Sequence, residues 1–197
     1  MNELTRRGFI YGAATIAGCG VLIGVQRVCS SAFADGSDNA GTGDAASEVK
    51  IVKFSEDGDS LGVVTTPKVR KTAAQWKTQL TELQYEVTRR ADTERPFTGE
   101  LNEEHRAGLY RCIDCENALF SSNSKFDSGT GWPSFFQAIA AENVRERKDV
   151  SFGTVVTEIR CTLCDAHLGH VFTDGPRPTG LRYCMNSAAL RFIPKKA

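Results

Sequence analysis

Seven cysteines punctuate the 197-residue chain, and their spacing sorts them by the chemistry open to each. Cys112-Ile113-Asp114-Cys115 and Cys161-Thr162-Leu163-Cys164 are two C-x-x-C pairs with 45 residues between them. Each pair can present two sulfurs to one ion from a tight turn, and four thiolates complete a closed, tetrahedral zinc site with no position left for substrate. Two disulfides are the competing reading, favoured wherever a chain is exported. The two-residue spacer is poor for a plain cross-link and suits zinc. A C-x-x-C redox pair of the thioredoxin kind would come singly, in a βαβ setting that this chain lacks. Cys184 has no cysteine near it in sequence. It lies two residues from Arg182 and shortly after His167 and His170, which makes it a candidate nucleophile whose thiolate the guanidinium would favour. A free cysteine also packs as a small hydrophobe, and both histidines stand close enough to Cys164 to serve as neighbours of a metal instead.

The elements that must position these groups read as mainly β. From Leu109 onward, short β-favouring runs (Leu109–Cys112, Ala118–Phe120, Gly153–Ile159, Val171–Phe172, Leu181–Cys184, Leu190–Ile193) alternate with Gly, Pro, Asp and Ser turns, the pattern of an antiparallel domain. Period-2 alternation along a regular strand would set Arg182, Cys184 and Asn186 on one face. One short helix is expected over Gln137–Asn143. Upstream, Thr72 can cap a helix running to about Leu80, with Trp76 and Leu80 on one face, and a second helix starts near Thr81 with Leu83 and Val87 together. Between Val49 and Val64, apolar alternation around Asp57-Gly58 suggests a hairpin. Residues 35–48 are small and polar and read as a flexible linker, 49–71 as an N-terminal extension, and 72–197 as the functional domain.

Residues 1–34 have the features of an export signal. Thr5-Arg6-Arg7-Gly8-Phe9-Ile10 resembles the twin-arginine consensus, a Gly/Ala-rich apolar run follows to Val25, and Ser31-Ala32-Phe33-Ala34 supplies an A-x-A cleavage site. The alternatives are a retained membrane anchor, which five glycines dilute, or lipidation at Cys19, which the apolar Val21-Leu22-Ile23 disfavours. That pathway carries folded proteins, often with metal bound, so signal and cysteine pattern support each other. The implied partners are the twin-arginine translocon and a periplasmic, extracellular or cell-envelope destination. Hydrophobic content of 41%, charged content of 24% and zero net charge describe a globular protein without the basic field that nucleic acid would demand. Removal of the signal leaves the chain at about −2, further from that role.

Phe126-Asp127-Ser128-Gly129-Thr130-Gly131-Trp132-Pro133-Ser134-Phe135 joins Cys161 to Phe172 (CTLCDAHLGHVF) and Arg182-Tyr183-Cys184-Met185-Asn186-Ser187 in a combination that resembles the B-type peptide-methionine (R)-S-oxide reductases. Asp174-Gly175-Pro176, Thr93 to Gly99 and Tyr85 to Thr88 are similar as well, so the likeness spans roughly residues 72–194. It implies two antiparallel β-sheets with short N-terminal helices, and one structural Zn2+ per chain on Cys112, Cys115, Cys161 and Cys164. The activity implied is reduction of methionine (R)-S-oxide in oxidised proteins by an external thiol. Cys184 would be the nucleophile, His170 the donor of a proton to the sulfoxide oxygen, and His167 its helper. Arg182 would favour the thiolate, Asn186 would orient the sulfoxide or a histidine, and Trp132 would wall the substrate methyl and offer its indole N–H. A zinc-knuckle binding module without chemistry is the alternative class. The chain departs from a common family pattern at Thr130, where many members carry a second, resolving cysteine. A one-cysteine cycle served by a thioredoxin-like protein or a small thiol follows, and a monomer is expected.

Overall fold

The structure, a computed structural model, describes residues 47–151 and 154–196; the signal at 1–34 and linker residues 35–46 lie outside the described residues. The chain begins with a hairpin, β1 (Glu48–Phe54) and β2 (Ser60–Pro67), followed by helices α1 (Ala73–Gln79) and α2 (Glu82–Arg90). Both helices start in a capping box. The Thr72 and Thr81 hydroxyls accept from the amides of Gln75 and Gln84, whose side chains accept the cap amides in return. Trp76 and Leu80 are buried, as their spacing predicts; in the second helix Val87 is buried but Leu83 is half exposed.

The remaining nine strands form two sheets. A three-stranded sheet sets β3 (Gly108–Cys112) between β4 (Ala118–Ser121) and the last strand, β11 (Leu190–Pro194). A six-stranded sheet runs in the order β5 (Lys125–Phe126), β6 (Ser134–Phe135), β10 (Arg182–Met185), β9 (His167–Phe172), β8 (Thr154–Cys161), β7 (Val144–Ser151). Every pairing is antiparallel. The two larger sheets bury Tyr110, Leu119, Phe120, Phe135, Ile159, Leu168 and Met185 between them, with Phe120 stacked on Phe135 at 4.5 Å. The expected mainly-β architecture of antiparallel sheets with short N-terminal helices is what forms, and the β1–β2 hairpin adds a small third sheet.

The helix expected over Gln137–Asn143 does not form; only Ala141–Asn143 makes a 3-10 turn. The reason is where the backbone bonds go. Phe136 N–H donates to Ser124 and Ile139 N–H to Leu119, at 2.9 Å each, so the neighbouring strands claim the donors an Ala-rich segment would otherwise turn inward. β7 carries the sequence Val-Arg-Glu-Arg-Lys-Asp-Val-Ser and no apolar alternation marks it; it is the edge strand, where charge discourages pairing with another chain.

The hairpin is tied down by polar groups. The Asn143 side chain accepts from the Val52 amide at 2.7 Å and donates to its carbonyl at 2.8 Å. Lys68 Nζ holds both carboxylate oxygens of Asp165 at 2.7 and 2.6 Å, and the Val69 amide donates to Leu163. Among the described residues, no helix is long and apolar enough to cross a membrane.

Candidate active site and metal centre

The two C-x-x-C segments fold into the same turn. Cys112 ends β3 and Cys161 ends β8, and each accepts from the amide four residues on, Glu116 or Asp165, at 2.9 Å. Their own amides donate to Asn117 and Ala166 at 2.8 and 2.9 Å. Closing so tight a loop requires a left-handed residue after the second cysteine, and Glu116 and Asp165 adopt φ 62° and 59°. The four sulfurs lie within 4.8 Å of one another and none is in a disulfide. Cys112 Sγ is 3.6 Å from Cys164 Sγ, and Cys115 Sγ 3.5 Å from Cys161 Sγ. Zn–S bonds of about 2.3 Å at tetrahedral angles would separate sulfurs by about 3.8 Å, so the cage fits that ion. Outer groups fit it too. Arg89 Nη2 donates to Cys164 Sγ at 3.4 Å and Asn117 Nδ2 to Cys161 Sγ at 3.6 Å, offsetting thiolate charge. Arg89 is held for this by buried Asp114 and by the Trp76 ring, 4.1 Å from its guanidinium carbon.

Cys184 sits on the central strand β10. Its direct cross-strand partners are His170 on β9 and Ser134 on β6, and His170 is in turn opposite Glu158 on β8. Directly opposed residues of antiparallel strands project to one face. The register therefore lays Glu158, His170, Cys184 and Ser134 in a row across the sheet. Along β10, Tyr183 and Met185 point into the core, while Arg182 and Cys184 are partly exposed on the other face. Cys184 opens on a cavity of about 160 Å³ lined by Thr93, Trp132, Gly169, His170, Phe172, Met185 and Asn186. A larger depression of about 580 Å³ beside Thr81, Gly99 and Phe192 has no cysteine or histidine in its wall.

His167 and His170 are three apart, an odd step that would separate them on a regular strand. A bulge against Ile159/Arg160 inserts an extra residue and brings both rings to within 5.4 Å, inclined at 64°. His167 is 1% exposed, and its Nδ1 meets Glu158 Oε1 at 2.7 Å. Burial pulls the His167 pKa below its ordinary value despite the Glu158 bond, so the ring is neutral at pH 7. Burial pushes the Glu158 carboxyl up, but the bonds from His167 and Arg160 outweigh it and hold its pKa below the usual value. His167 Nδ1 then carries the proton, and Nε2, buried without a hydrogen-bond partner, faces inward as a bare lone pair. His170 Nε2 is likewise buried without a hydrogen bond and lies 3.8 Å from Asp149 Oδ2.

Arg182 is not among the residues that line the cavity, but lies close to the Cys184 sulfur. It makes two bonds to Asp174, at 2.9 and 2.8 Å, and its guanidinium carbon lies 4.4 Å from the Phe172 ring centroid. The Asp174 bonds, outweighing partial burial and aided by the nearby Cys184 sulfur, raise its pKa. It stands as a fixed positive charge at the rim.

Two expectations change. Asn186 does not share a regular strand with Arg182 and Cys184: β10 ends at Met185, and buried Asn186 opens a 3-10 turn. Its amide lines the cavity but is bonded to backbone, accepting from the Glu94 amide at 3.0 Å and donating to the Leu168 carbonyl at 3.2 Å. The Trp132 indole N–H is also engaged, with the Glu94 carbonyl at 3.1 Å, so the ring is a fixed wall and its N–H is not free for substrate. Glu94 is the residue that sequence reasoning missed. It is 4% exposed, and its carboxylate accepts from the amides of Ser187 and Ala188 at 2.6 and 2.8 Å. Burial raises its pKa against those two bonds. Through four bonds it clamps the indole to the turn that follows Cys184. The signal for it was the stretch Thr93 to Gly99, matched as a motif without a role. Thr130 Oγ1 lies 3.8 Å from Cys184 Sγ, beside the sulfur, where a resolving thiol would have to be.

The site is thus a half-open apolar cavity holding a cross-strand cysteine–histidine pair, on a β domain that also gathers four cysteine sulfurs. Residues 80–194 match the SelR domain family. Proteins named peptide methionine sulfoxide reductase MsrB are similar as well. The one from Herminiimonas arsenicoxydans is 55% identical over 127 residues, 64% of this chain and 93% of that protein. The one from Bradyrhizobium diazoefficiens is 54% identical over 137 residues, 70% of this chain and 99% of that protein. The one from Thiobacillus denitrificans is 58% identical over 125 residues. The chain belongs to the SelR, or B-type methionine sulfoxide reductase, family, and is a peptide methionine sulfoxide reductase.

Proposed function

We propose that this protein reduces methionine (R)-S-oxide in polypeptides with an external thiol, through a sulfenic acid on Cys184. The observation that carries the reading is the pairing of Cys184 with His170 across β9 and β10, at the floor of a cavity walled by Trp132 and Phe172. The substrate methyl takes the apolar wall, and the polarised S–O bond turns its oxygen toward His170. The Cys184 sulfur attacks the sulfoxide sulfur while His170 delivers a proton to the oxygen. The S–O bond breaks as the hydroxyl passes to the Cys184 sulfur, the transient S–S bond breaks with its electron pair returning to the methionine sulfur, and methionine leaves with Cys184 as Cys–SOH. The neutral His167, its N–H on Glu158 and its ring 5.4 Å from that of His170, positions the proton donor. Arg182 at the rim favours the thiolate.

Among the described residues, no other thiol lines the cavity. A first external thiol therefore attacks the sulfenic acid and expels water, and a second frees Cys184 as the exogenous disulfide forms. Zn2+ would be held by Cys112, Cys115, Cys161 and Cys164, which leave no open position, and would supply folding energy rather than chemistry. The twin-arginine-like stretch, which lies outside the residues 80–194 matched by the family model, supports export and repair of oxidised proteins outside the cytoplasm.

The test is turnover of peptides carrying resolved R- and S-methionine sulfoxide by the purified protein with dithiothreitol, alongside Cys184→Ser. Reduction of the R epimer alone, abolished in the variant, is the expected outcome. Absence of turnover with metal bound and the fold intact would sink the reading in favour of a binding module.

A further inference from the structure

Thr130 does more than stand where a thiol is missing. Its hydroxyl is 3.8 Å from Cys184 Sγ and 2.8 Å from Ser128 Oγ; Ser128 Oγ is 2.7 Å from Ser134 Oγ, and the Ser134 hydroxyl donates to the Trp132 carbonyl at 3.1 Å. Four side chains thus form one unbranched line of hydrogen bonds from the reactive sulfur to a backbone acceptor. Ser134, 1% exposed and directly opposite Cys184 on β6, fixes the far end.

Each hydroxyl has one proton, so the direction of the line can be counted. With Ser134 donating to Trp132, Ser128 must donate to Ser134 and Thr130 to Ser128, which leaves the Thr130 oxygen to accept from the Cys184 thiol. Every proton is used when the sulfur is protonated. When the sulfur ionises, three hydroxyl rotations reverse the line. Ser134 then donates to Ser128, Ser128 to Thr130 and Thr130 to the thiolate. The single bond given up is that of Ser134 to a neutral carbonyl, and the bond gained is to an anion, which is the stronger kind. No heavy atom has to move.

We propose that Thr130, with Ser128 and Ser134 behind it, is a positioning residue that holds Cys184 Sγ and favours its thiolate by reversing a hydroxyl relay. The proposal rests on the reading of Cys184 as the nucleophile, but it concerns the sulfur itself and can be tested without any sulfoxide. Charged and titratable groups also face Cys184: Arg182 from β10, paired with Asp174; His170 from β9, with Asp149 of β7 at 3.8 Å; and Glu94, its carboxylate bonded to two amides. All of them are common to the variants below, so a difference between variants reports the hydroxyls.

The experiment is the rate of Cys184 alkylation by iodoacetamide from pH 5 to 10 in the zinc-loaded full chain, followed on the tryptic peptide Tyr183–Arg191. Thr130→Val keeps the branched shape and removes the hydroxyl. Alkylation at pH 7 is expected to slow about tenfold while the alkaline plateau stays within about twofold, because loss of one charge-assisted bond moves the midpoint and leaves access unchanged. Ser128→Ala should shift the midpoint the same way by less, and Thr130→Ser should restore it. A Thr130→Val profile that superimposes on the unsubstituted one would overturn the proposal, as would a lowered plateau with an unmoved midpoint. Either result leaves the sulfoxide assay, and the proposed function, standing on their own test.

Discussion

Among single residues, Glu158 carries the most consequence for its size. It is buried, meets Nδ1 of His167 and takes the Arg160 Nε–H at 2.8 Å. Its depressed pKa means that the ionised carboxylate stabilises the fold above its ordinary value of 4.5, a contribution lost as pH falls through the lower folded value. His167 acts with the same sign over a higher window. Its folded pKa lies below the ordinary 6.5, so the unfolded chain takes up that proton first and stability declines as pH drops from 6.5 toward the folded value. Glu158→Gln removes the charge that the Arg160 guanidinium meets while keeping an acceptor for neutral His167, and is expected to cost about 2 kcal/mol at pH 7.5. The difference from the unsubstituted chain should narrow in acid, where that chain loses the same contribution. Denaturant titrations at pH 7.5 and at a series of pH values below 4.5 measure both, and a loss below about 1 kcal/mol at pH 7.5 would contradict the pairing.

At the scale of elements, function depends on how closely β9 approaches β10. Gly169 lies opposite Met185 with φ 154°, and a Cβ there would collide with the Cys184 carbonyl. Gly169→Ala must push β10 outward at the nucleophile, with an expected loss of about 2–3 kcal/mol from overpacking. Displacing the sulfur on the order of 1 Å should lower kcat/KM about hundredfold, a larger effect than the stability loss alone would give. Steady-state assays at a temperature where the variant is fully folded separate the two; an unchanged kcat/KM would show that the site tolerates the shift. This element shows what a sequence discloses. The apolar runs that became β3, β4, β8, β10 and β11 were legible because alternation and turn residues agree there, as was Cys184 beside Arg182. The bulge that turns His167 toward His170 was not, because it depends on one register step against β8. Nor were the roles of Glu94 and Glu158, since carboxylates read as surface until a fold buries them. β7 hid behind its charges, and Gln137–Asn143 was read as helix although the Ile139 amide is tied to Leu119 of β4.

At the scale of the molecule, everything converges on four sulfurs. Cys112 and Cys115 come from the turn between β3 and β4, in the three-stranded sheet; Cys161 and Cys164 come from the turn between β8 and β9, in the six-stranded one. The helices reach the same place, Gln79 of α1 bonding the Asp114 carbonyl at 2.7 Å and Arg89 of α2 bonding Cys164. The hairpin arrives through Lys68 and Asp165. One ion would therefore join three sheets and both helices. Structural zinc contributes an apparent 10–16 kcal/mol or so in small domains, as much as or more than the roughly 5–15 kcal/mol that separates folded from unfolded chains. The metal-free chain should therefore not hold its fold. A strong chelator is expected to release one equivalent of zinc and to abolish far-UV circular dichroism and reductase activity together, although Cys184 binds no metal. The order of loss is what discriminates. If activity fell while the dichroism persisted, the ion would belong to the chemistry. If both survived removal of the ion, the sulfurs would need another partner to account for their gathering. Cys161→Ser in the full chain should reproduce the chelator result, because three sulfurs cannot close the cage that keeps the two larger sheets, and with them Cys184 and Trp132, in register.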